Sequence, residues 1–118
     1  MIPAGVEIFV GLVPINLRWS FDRLASLVEA ELGRVARSGA LFVFFGKRRT
    51  ALKILFFDGT GMCIFYKRLD SALFALPDPM NGDGQCVEVP SHVLDELLDG
   101  VFVERKPTRK RGSATRVH

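Results

Sequence analysis

Apolar residues in the first third of the chain are spaced first as in a strand and then as in a helix. Residues 7–12 (EIFVGL) predict a strand that ends at Val13-Pro14. Over residues 21–32, apolar side chains recur every three or four positions, which predicts an amphipathic helix. We expect Ser20 to be its N-cap and Gly33 to end it. The helical positions are Phe21, Leu24, Ala25, Val28 and Leu32.

Three runs of β-branched and aromatic residues follow the turn signal Ser38-Gly39. They predict an antiparallel meander of strands over residues 41–45, 51–57 and 62–67, each bounded by glycine or charge. Loops over residues 46–50 and 58–61 would set the register. In that register Phe45 lies opposite Ala51, Phe57 opposite Met62, and Lys53 opposite Tyr66.

Alternation along these strands predicts two apolar sheet faces. One face would carry Phe42, Phe44, Leu52, Ile54, Phe56, Cys63 and Phe65, with Lys67 at its edge. The other would carry Leu41, Val43, Phe45, Leu55, Phe57, Ile64 and Tyr66, with Lys53 and Arg68 at its rim. One helix cannot cover both faces, so a second helix, another chain, or both must contribute.

The rest of the chain predicts shorter elements and a polar end. The expected order is a short edge strand at 73–76, a loop at 78–85, a strand at 86–89, a helix at 92–99 capped by Ser91 and ended by Gly100, and a strand at 101–103. The fold class is therefore α+β: an antiparallel sheet, made of the central meander and the N-terminal strand, with two helices. We expect one domain over residues 1–104 and a flexible basic tail over residues 105–118.

Charge is segregated along the chain. Residues 34–69 hold eight Lys or Arg and one acid, a net charge of +7, whereas residues 70–104 hold eight acids and no Lys or Arg, a net charge of −8. Residues 105–118 add six basic residues and no acid. This pattern indicates an anionic partner, although oppositely charged blocks can also pair within a fold.

Composition argues against several classes of protein. No apolar run reaches the roughly 18 residues of a membrane span, and we recognise no signal peptide, so we expect a cytoplasmic protein. Cys63 and Cys86 set no disulfide framework, and no metal-ligand spacing accompanies them. We recognise no Ser-His-Asp, Cys-His or carboxylate-pair arrangement either. No catalytic residue, metal or cofactor is predicted.

The segment Asp58-Gly59-Thr60-Gly61 admits three interpretations. Phosphate-binding hairpins of actin-like kinases carry Asp-x-Gly-Thr, but that fold needs two large lobes. Retroviral-type aspartic proteases carry Asp-Thr-Gly or Asp-Ser-Gly, an order that Gly59 interrupts. The third interpretation is a hairpin turn, in which Asp accepts local backbone hydrogen bonds and Gly provides a positive φ. We favour the turn.

Basic residues at the strand ends form the candidate nucleic-acid site. Lys47, Arg48 and Arg49 lie in the first hairpin loop, and Lys and Arg donate well to phosphate oxygens. Lys53, Lys67 and Arg68 come from the adjoining strands, and Arg18 precedes the first helix, where it could pair with an acid or contact a phosphate. The alternative is a solvated loop. The basic tail could likewise bind nucleic acid or fold back on the acidic stretch.

Trp19 also has two interpretations. It could pack beside the Ser20 cap as a hydrophobic staple, or it could anchor a partner.

The order of these pieces resembles the small TnpB-type accessory proteins of the insertion-sequence 66 family of bacterial transposons. The resemblance covers residues 6–77, with a weaker echo in the second helix. It is carried by Pro14-Ile15-Asn16-Leu17-Arg18, Phe21-Asp22-x-Leu24-Ala25, Ser38-Gly39-Ala40-Leu41-Phe42-Val43-Phe44, Lys47-Arg48-Arg49, Leu52-Lys53-Ile54-Leu55, Asp58-Gly59-x-Gly61, Tyr66-Lys67-Arg68-Leu69, and Phe74 with Pro77.

The resemblance implies a mobile-element protein, encoded beside a transposase, that supports DNA transposition without catalysis. The basic positions of the family fall here on Arg18, Lys47, Arg48, Arg49, Lys53, Lys67 and Arg68. The chain departs from the family where Asn16-Leu17-Arg18-Trp19-Ser20 replaces Asp-Met-Arg-Lys-Gly, so that Trp19 stands in place of a Lys, where Thr50 replaces a loop Gly, and where Leu76 replaces a Trp.

We therefore predict an accessory protein that binds DNA, the transposase, or both through the basic edge of the hairpin. A homodimer is a further expectation. One rival is a protein-binding module that dimerises or binds the transposase through an apolar sheet face without touching DNA. The other is an enzyme such as a nuclease, which would need a carboxylate cluster for metal.

Overall fold

A computed structural model describes residues 5–76 and 85–100 and confirms an α+β fold. The elements in chain order are β1 (Ile8–Gly11), α1 (Phe21–Ala30), a 3₁₀ turn (Ala36–Ser38), β2 (Leu41–Phe45), β3 (Ala51–Phe57), β4 (Met62–Arg68), β5 (Cys86–Glu88) and α2 (Ser91–Asp99). The five strands form one sheet in the order β4-β3-β2-β1-β5. The predicted loop at 78–85, except for its last residue, the strand at 101–103 and the tail at 105–118 lie outside the described residues.

The sheet is antiparallel except at one pair of strands. β1 runs parallel to β2, with Phe9 beside Phe42, whereas the pattern of the sequence predicts an antiparallel sheet. The reason is the crossover: α1 returns the chain to the end at which β1 began, so β2 starts in the same direction. β5 then pairs antiparallel with β1, with Val10 opposite Val87.

Each face of the sheet carries its own apolar core. The first face packs under α1, through buried residues that include Phe9, Leu24, Val28, Ala40, Phe42, Phe44 and Leu55. The second packs under α2 and the segment that follows β4, through buried residues that include Ile8, Val43, Phe45, Leu52, Phe74, Leu94 and Leu97. The need for a second helix is therefore confirmed. The apolar sheet faces of the rival interpretation are largely covered within the chain.

The register of the β2–β3 hairpin differs by one residue from the predicted one. Phe45 lies opposite Leu52 rather than Ala51. Because side chains alternate, this shift moves the whole of β2 to the opposite face relative to β3, so Phe42 and Phe44 share a face with Leu55 and not with Ile54. The β3–β4 register, by contrast, is confirmed, with Phe57 opposite Met62 and Lys53 opposite Tyr66.

Smaller differences concern the ends of elements. α1 ends at Ala30, and the chain turns at Gly33, whose φ is 65°. Residues 73–76 form no strand beyond a single bridge position at Leu73. α2 begins at Ser91 itself, with Pro90 in the N-cap position, and ends at Gly100 as expected. In the described part of the chain, no helix has the length and apolarity that would let it cross a membrane.

Candidate nucleic-acid interface

The tip of the β2–β3 hairpin presents three cations to solvent. Gly46 still pairs with β3, since its N–H donates to the Ala51 carbonyl at 3.1 Å. The free loop is therefore residues 47–50, one residue shorter than predicted. Arg49 adopts a left-handed conformation, with φ 59°, and its N–H donates to the Gly46 carbonyl at 3.0 Å. Lys47, Arg48 and Arg49 are all exposed.

Arg68 joins this loop from the end of β4. It pairs with Ala51 at the start of β3, and the next residue, Leu69, donates its N–H to the Thr50 carbonyl at 2.8 Å. The exposed Arg68 guanidinium donates to the Tyr66 hydroxyl at 3.2 Å, and this contact raises the pKa of Arg68. The side chain is thus held beside the loop as a permanent cation.

Arg18 reaches the same end of the sheet through the chain that follows β1. Ile15 forms a parallel bridge with Gly46, and its N–H donates to the Phe45 carbonyl at 2.9 Å. Leu17 packs directly on Gly46: a Cβ at residue 46 would lie 2.6 Å from the Leu17 Cδ1. Arg18 is exposed, and its N–H donates to the Asn16 Oδ1 at 2.9 Å.

Lys53, another predicted contact residue, is buried on the face of the sheet that α1 covers. Its side chain is 8% exposed, and its Nζ donates to the Trp19 carbonyl at 2.7 Å. The same ammonium lies 5.3 Å from the centroid of the Tyr66 ring. Lys53 therefore holds the segment that carries Arg18 against the strands. Its ammonium interacts with the Trp19 carbonyl and the Tyr66 ring.

Lys67 also has a partner inside the protein. It lies on the α2 face of β4, and its Nζ donates to the Leu98 carbonyl at 2.8 Å. A cation at the last carbonyls of a helix satisfies an acceptor that has no helical donor and complements the helix dipole. Lys67 therefore ties the end of α2 to the sheet.

The predicted cations thus separate into two groups. The exposed group, which we call the basic end, consists of Arg18, Lys47, Arg48, Arg49 and Arg68. The internal group is Lys53 and Lys67. Within residues 5–76 and 85–100, no member of the basic end forms an ion pair with a carboxylate. That includes Asp70, which is exposed only two residues after Arg68.

Phe74 packs against the hairpin and is hydrogen-bonded to its loop, a role that the sequence pattern did not predict. It is 1% exposed, its ring centroid lies 5.8 Å from that of Phe45, and its N–H donates to the Arg49 carbonyl at 2.8 Å. Its position after the predicted strands indicated only a short edge strand. The contact with Arg49 joins residues far apart in sequence, and no local pattern marks it.

The Asp58 segment is a turn, as the third interpretation held. The Asp58 Oδ1 accepts hydrogen bonds from the N–H of Thr60, the hydroxyl of Thr60 and the N–H of Gly61, at 2.9, 3.0 and 3.0 Å. Gly59 has φ 103°, which a residue with a side chain rarely adopts. Hydrogen bonds from the Thr60 and Gly61 amides lower the pKa of Asp58 to about 2. The Asp58 carboxylate therefore stabilises the hairpin turn.

A shallow cavity of about 390 Å³ lies between α1 and the loop after β1. Trp19 lines it and is partly buried, with the Arg23 guanidinium 4.3 Å from the centroid of its ring. This placement supports the packing interpretation of Trp19. No group of three or more His, Cys, Asp or Glu that could hold a metal ion occurs in residues 5–76 and 85–100.

Comparison with known proteins gives a family match that spans most of the chain. The family described as IS66 Orf2 like protein matches residues 6–108. The uncharacterized protein y4hO of Sinorhizobium fredii is 33% identical, covering 86% of this chain and 87% of the relative. The uncharacterized protein y4jC of the same organism is 31% identical, covering 90% of this chain and 91% of the relative. No solved structure matches the chain with significance.

Proposed function

Because the chain belongs to the IS66 Orf2-like family, whose members have an accessory role in transposition, we propose that it fulfils this role by binding the phosphate backbone of DNA. The observation that carries the proposal is the basic end: five exposed cations from three separate segments converge at one end of the sheet, with no ion-pair partner in the described residues. The protein acts as a binding scaffold in this proposal and catalyses no reaction.

The arrangement suits phosphate contacts better than base reading. The cations are held differently. Lys47 and Arg48 are exposed on a short loop, whereas the Arg68 guanidinium is hydrogen-bonded to the Tyr66 hydroxyl. Arg and Lys donors of this kind neutralise backbone charge and release counterions, so the affinity falls steeply as salt rises. We therefore expect binding of duplex DNA with little dependence on sequence.

The internal lysines have a positioning role in this proposal. Lys53 places the Arg18 segment beside the loop, and Lys67 holds α2 on the opposite face. The Lys53 ammonium is buried, and the Lys67 ammonium is bonded to the Leu98 carbonyl on the α2 face of the sheet, so we expect neither to be a main phosphate contact. We therefore place the contact surface on the basic end alone, which is narrower than the set predicted from the sequence.

The test is binding of a fluorescent DNA duplex by the wild type and by a Lys47→Ala/Arg48→Ala/Arg49→Ala variant across a salt series. The slope of log affinity against log salt should fall by about 0.9 for each phosphate contact that is lost. Circular dichroism and thermal unfolding establish that the variant is folded. An affinity and a slope equal to those of the wild type would remove the loop from the interface.

A matched control uses the two ends of the same strand. Arg37, in the turn before β2, is exposed like Arg48 but lies at the opposite end of that strand from the loop. Arg48→Ala should weaken DNA binding and lower the salt slope by about one, whereas Arg37→Ala should change neither. Equal losses from both variants would mean that net charge, and not the basic end, drives binding.

The transposase is the second partner that family membership suggests. A pull-down from cells that express the neighbouring genes, repeated with nuclease, separates the two partners. Capture of the transposase that disappears with nuclease indicates that DNA bridges the proteins. Capture that survives nuclease and high salt indicates direct protein contact and contradicts a purely DNA-mediated role.

A further inference from the structure

The two edges of the sheet differ in how well they are protected. β5 closes one edge with only three residues, Cys86–Glu88. β4 forms the other edge with seven residues, Met62–Arg68, and no residue of the described part of the chain pairs with its outer side. A long strand with free backbone groups is a template for pairing with another strand.

The hydrogen bonds of the β3–β4 hairpin identify the free groups. The residue pairs Asp58–Gly61 and Leu69–Thr50 are both hydrogen-bonded pairs of this ladder. Since such pairs alternate along an antiparallel ladder, the odd-numbered residues of β4 bond to β3. The N–H and C=O groups of the even-numbered residues therefore point outward: Met62, Ile64, Tyr66 and Arg68.

Exposed aromatic side chains flank this edge on both faces. Phe65 is 44% exposed and lies on the α2 face, and Tyr66 is 47% exposed and lies on the α1 face. Most residues of the neighbouring strand β3 are buried, whereas the residues of β4 are half-buried or exposed. The helices therefore cover the centre of the sheet and leave its β4 edge open. The edge thus combines free backbone groups with apolar surface.

Charge is distributed unevenly along β4. The Asp58 turn precedes its N-terminal end, and Lys67 and Arg68 lie at its C-terminal end. An antiparallel pair of β4 strands brings the basic end of each copy beside the Asp58 turn of the other. A parallel pair would instead stack Arg68 on Arg68, and like charges directly opposite are destabilising. The edge is therefore self-complementary only in the antiparallel sense.

We propose that two copies of this chain pair antiparallel through β4, centred on Phe65, so that one sheet runs through both copies. In this register Ile64 lies opposite Tyr66 of the second copy and Met62 opposite Arg68, which uses every outward-facing backbone group of the strand. The two Phe65 side chains meet at the centre as a close, non-hydrogen-bonded pair. The proposal does not depend on DNA binding.

The first test compares two substitutions at Tyr66. Both remove the aromatic ring, but Tyr66→Pro also removes an outward N–H that β3 does not use, whereas Tyr66→Thr keeps it. Light scattering on the full chain without DNA should give twice the 13.1 kDa chain mass for the wild type and for Tyr66→Thr. Tyr66→Pro should give the mass of a single chain while unfolding cooperatively.

The second test locates the centre of the pair. In a Cys63→Ser background, Phe65→Cys should form a disulfide-linked dimer under mild oxidation, because the two Cα atoms would be about 4.5 Å apart. The control Arg68→Cys should remain uncrosslinked, since its partner would lie about 20 Å away along the strands. Crosslinking of Arg68→Cys instead of Phe65→Cys would overturn the register.

Two further outcomes would overturn the proposal. One is a wild-type chain that is monomeric at all concentrations, and the other is a dimer that Tyr66→Pro leaves intact. A chain shortened to residues 1–104 tests whether the tail, and not a second copy, occupies the β4 edge. If only the shortened chain dimerises, the native occupant of the β4 edge is the chain's own basic tail, not a second copy.

Discussion

The ammonium of Lys53 donates a 2.7 Å hydrogen bond to the backbone carbonyl of Trp19, 34 residues earlier in the chain. This contact crosses from the middle of β3 to the segment just before α1, and the ring of Tyr66 lies beside it. It links the fold to the candidate site, because the segment that it holds also carries Arg18. We therefore expect Lys53, which the sequence marked as a nucleic-acid contact, to act as a positioning residue.

We expect Lys53→Met to destabilise the fold without changing the salt dependence of DNA binding. Met keeps the apolar stem but leaves the Trp19 carbonyl without its donor, which should cost about 1–3 kcal/mol of unfolding free energy in urea. The salt slope should stay at the wild-type value. A slope lower by about one would show that Lys53 contacts a phosphate, as its position in the sequence predicts.

Arg49 allows stability and binding to be changed in opposite directions. Its φ of 59° strains a residue with a side chain, so Arg49→Gly should raise the unfolding free energy by about 0.5–1 kcal/mol. The same change removes a cation and should weaken DNA binding. Arg49→Ala is the control, since it loses the charge but keeps the strain. Equal stability of the two variants would contradict the argument.

The contact between Gly46 and Leu17 is expected to position Arg18. A Cβ at residue 46 would meet the Leu17 Cδ1 at 2.6 Å, so Gly46→Ala must displace that side chain. We expect a loss of about 1–3 kcal/mol in urea unfolding. Adding Leu17→Ala should recover part of this loss in a double-mutant cycle. Strictly additive losses would mean that the strain lies elsewhere.

The meander was predictable because local signals agreed. Runs of β-branched and aromatic residues marked β2, β3 and β4, and the Asp58 turn set the β3–β4 register. The β2–β3 register was not predictable for two reasons. The residue with positive φ in that loop is Arg49, where a sequence analysis expects Gly, and both sheet faces are apolar, so a slip of one residue leaves the hydrophobic pattern equally satisfied.

The candidate site was predictable only in part. Lys47, Arg48 and Arg49 in one loop, and Arg68 at the end of the paired strand, follow from strand order alone. The burial of Lys53 and the attachment of Lys67 do not, because each bonds to a backbone carbonyl, which every residue has and no motif marks. The parallel pairing of β1 likewise depends on the crossover through α1.

Phe74 should be the residue whose loss most affects the loop. It is buried under Phe45 and bonded to Arg49, so Phe74→Ala should lower the unfolding free energy by about 3–5 kcal/mol. The half-exposed Phe21 provides the control, and Phe21→Ala should cost much less in the same urea titration. Similar losses for the two variants would show that Phe74 is not a core residue.

The Asp58 carboxylate should stabilise the hairpin turn down to unusually low pH. Amide donors from Thr60 and Gly61 hold its pKa at about 2, below the ordinary value of 3.8. A lowered pKa means that the stabilisation is complete above about pH 4 and is lost as the pH falls through about 2. The melting temperature of wild type minus that of Asp58→Ala should therefore be constant at neutral pH and shrink below pH 4.

A carbon-detected NMR titration of the carboxyl groups measures the same property directly. Asp58 should titrate with a midpoint near pH 2, and Asp70→Ala, which removes an exposed carboxylate outside the turn, should leave that midpoint unchanged. An Asp58 midpoint near the ordinary value would mean that the Thr60 and Gly61 amides do not bind the carboxylate in solution. The turn would then depend on Gly59 and Gly61 alone.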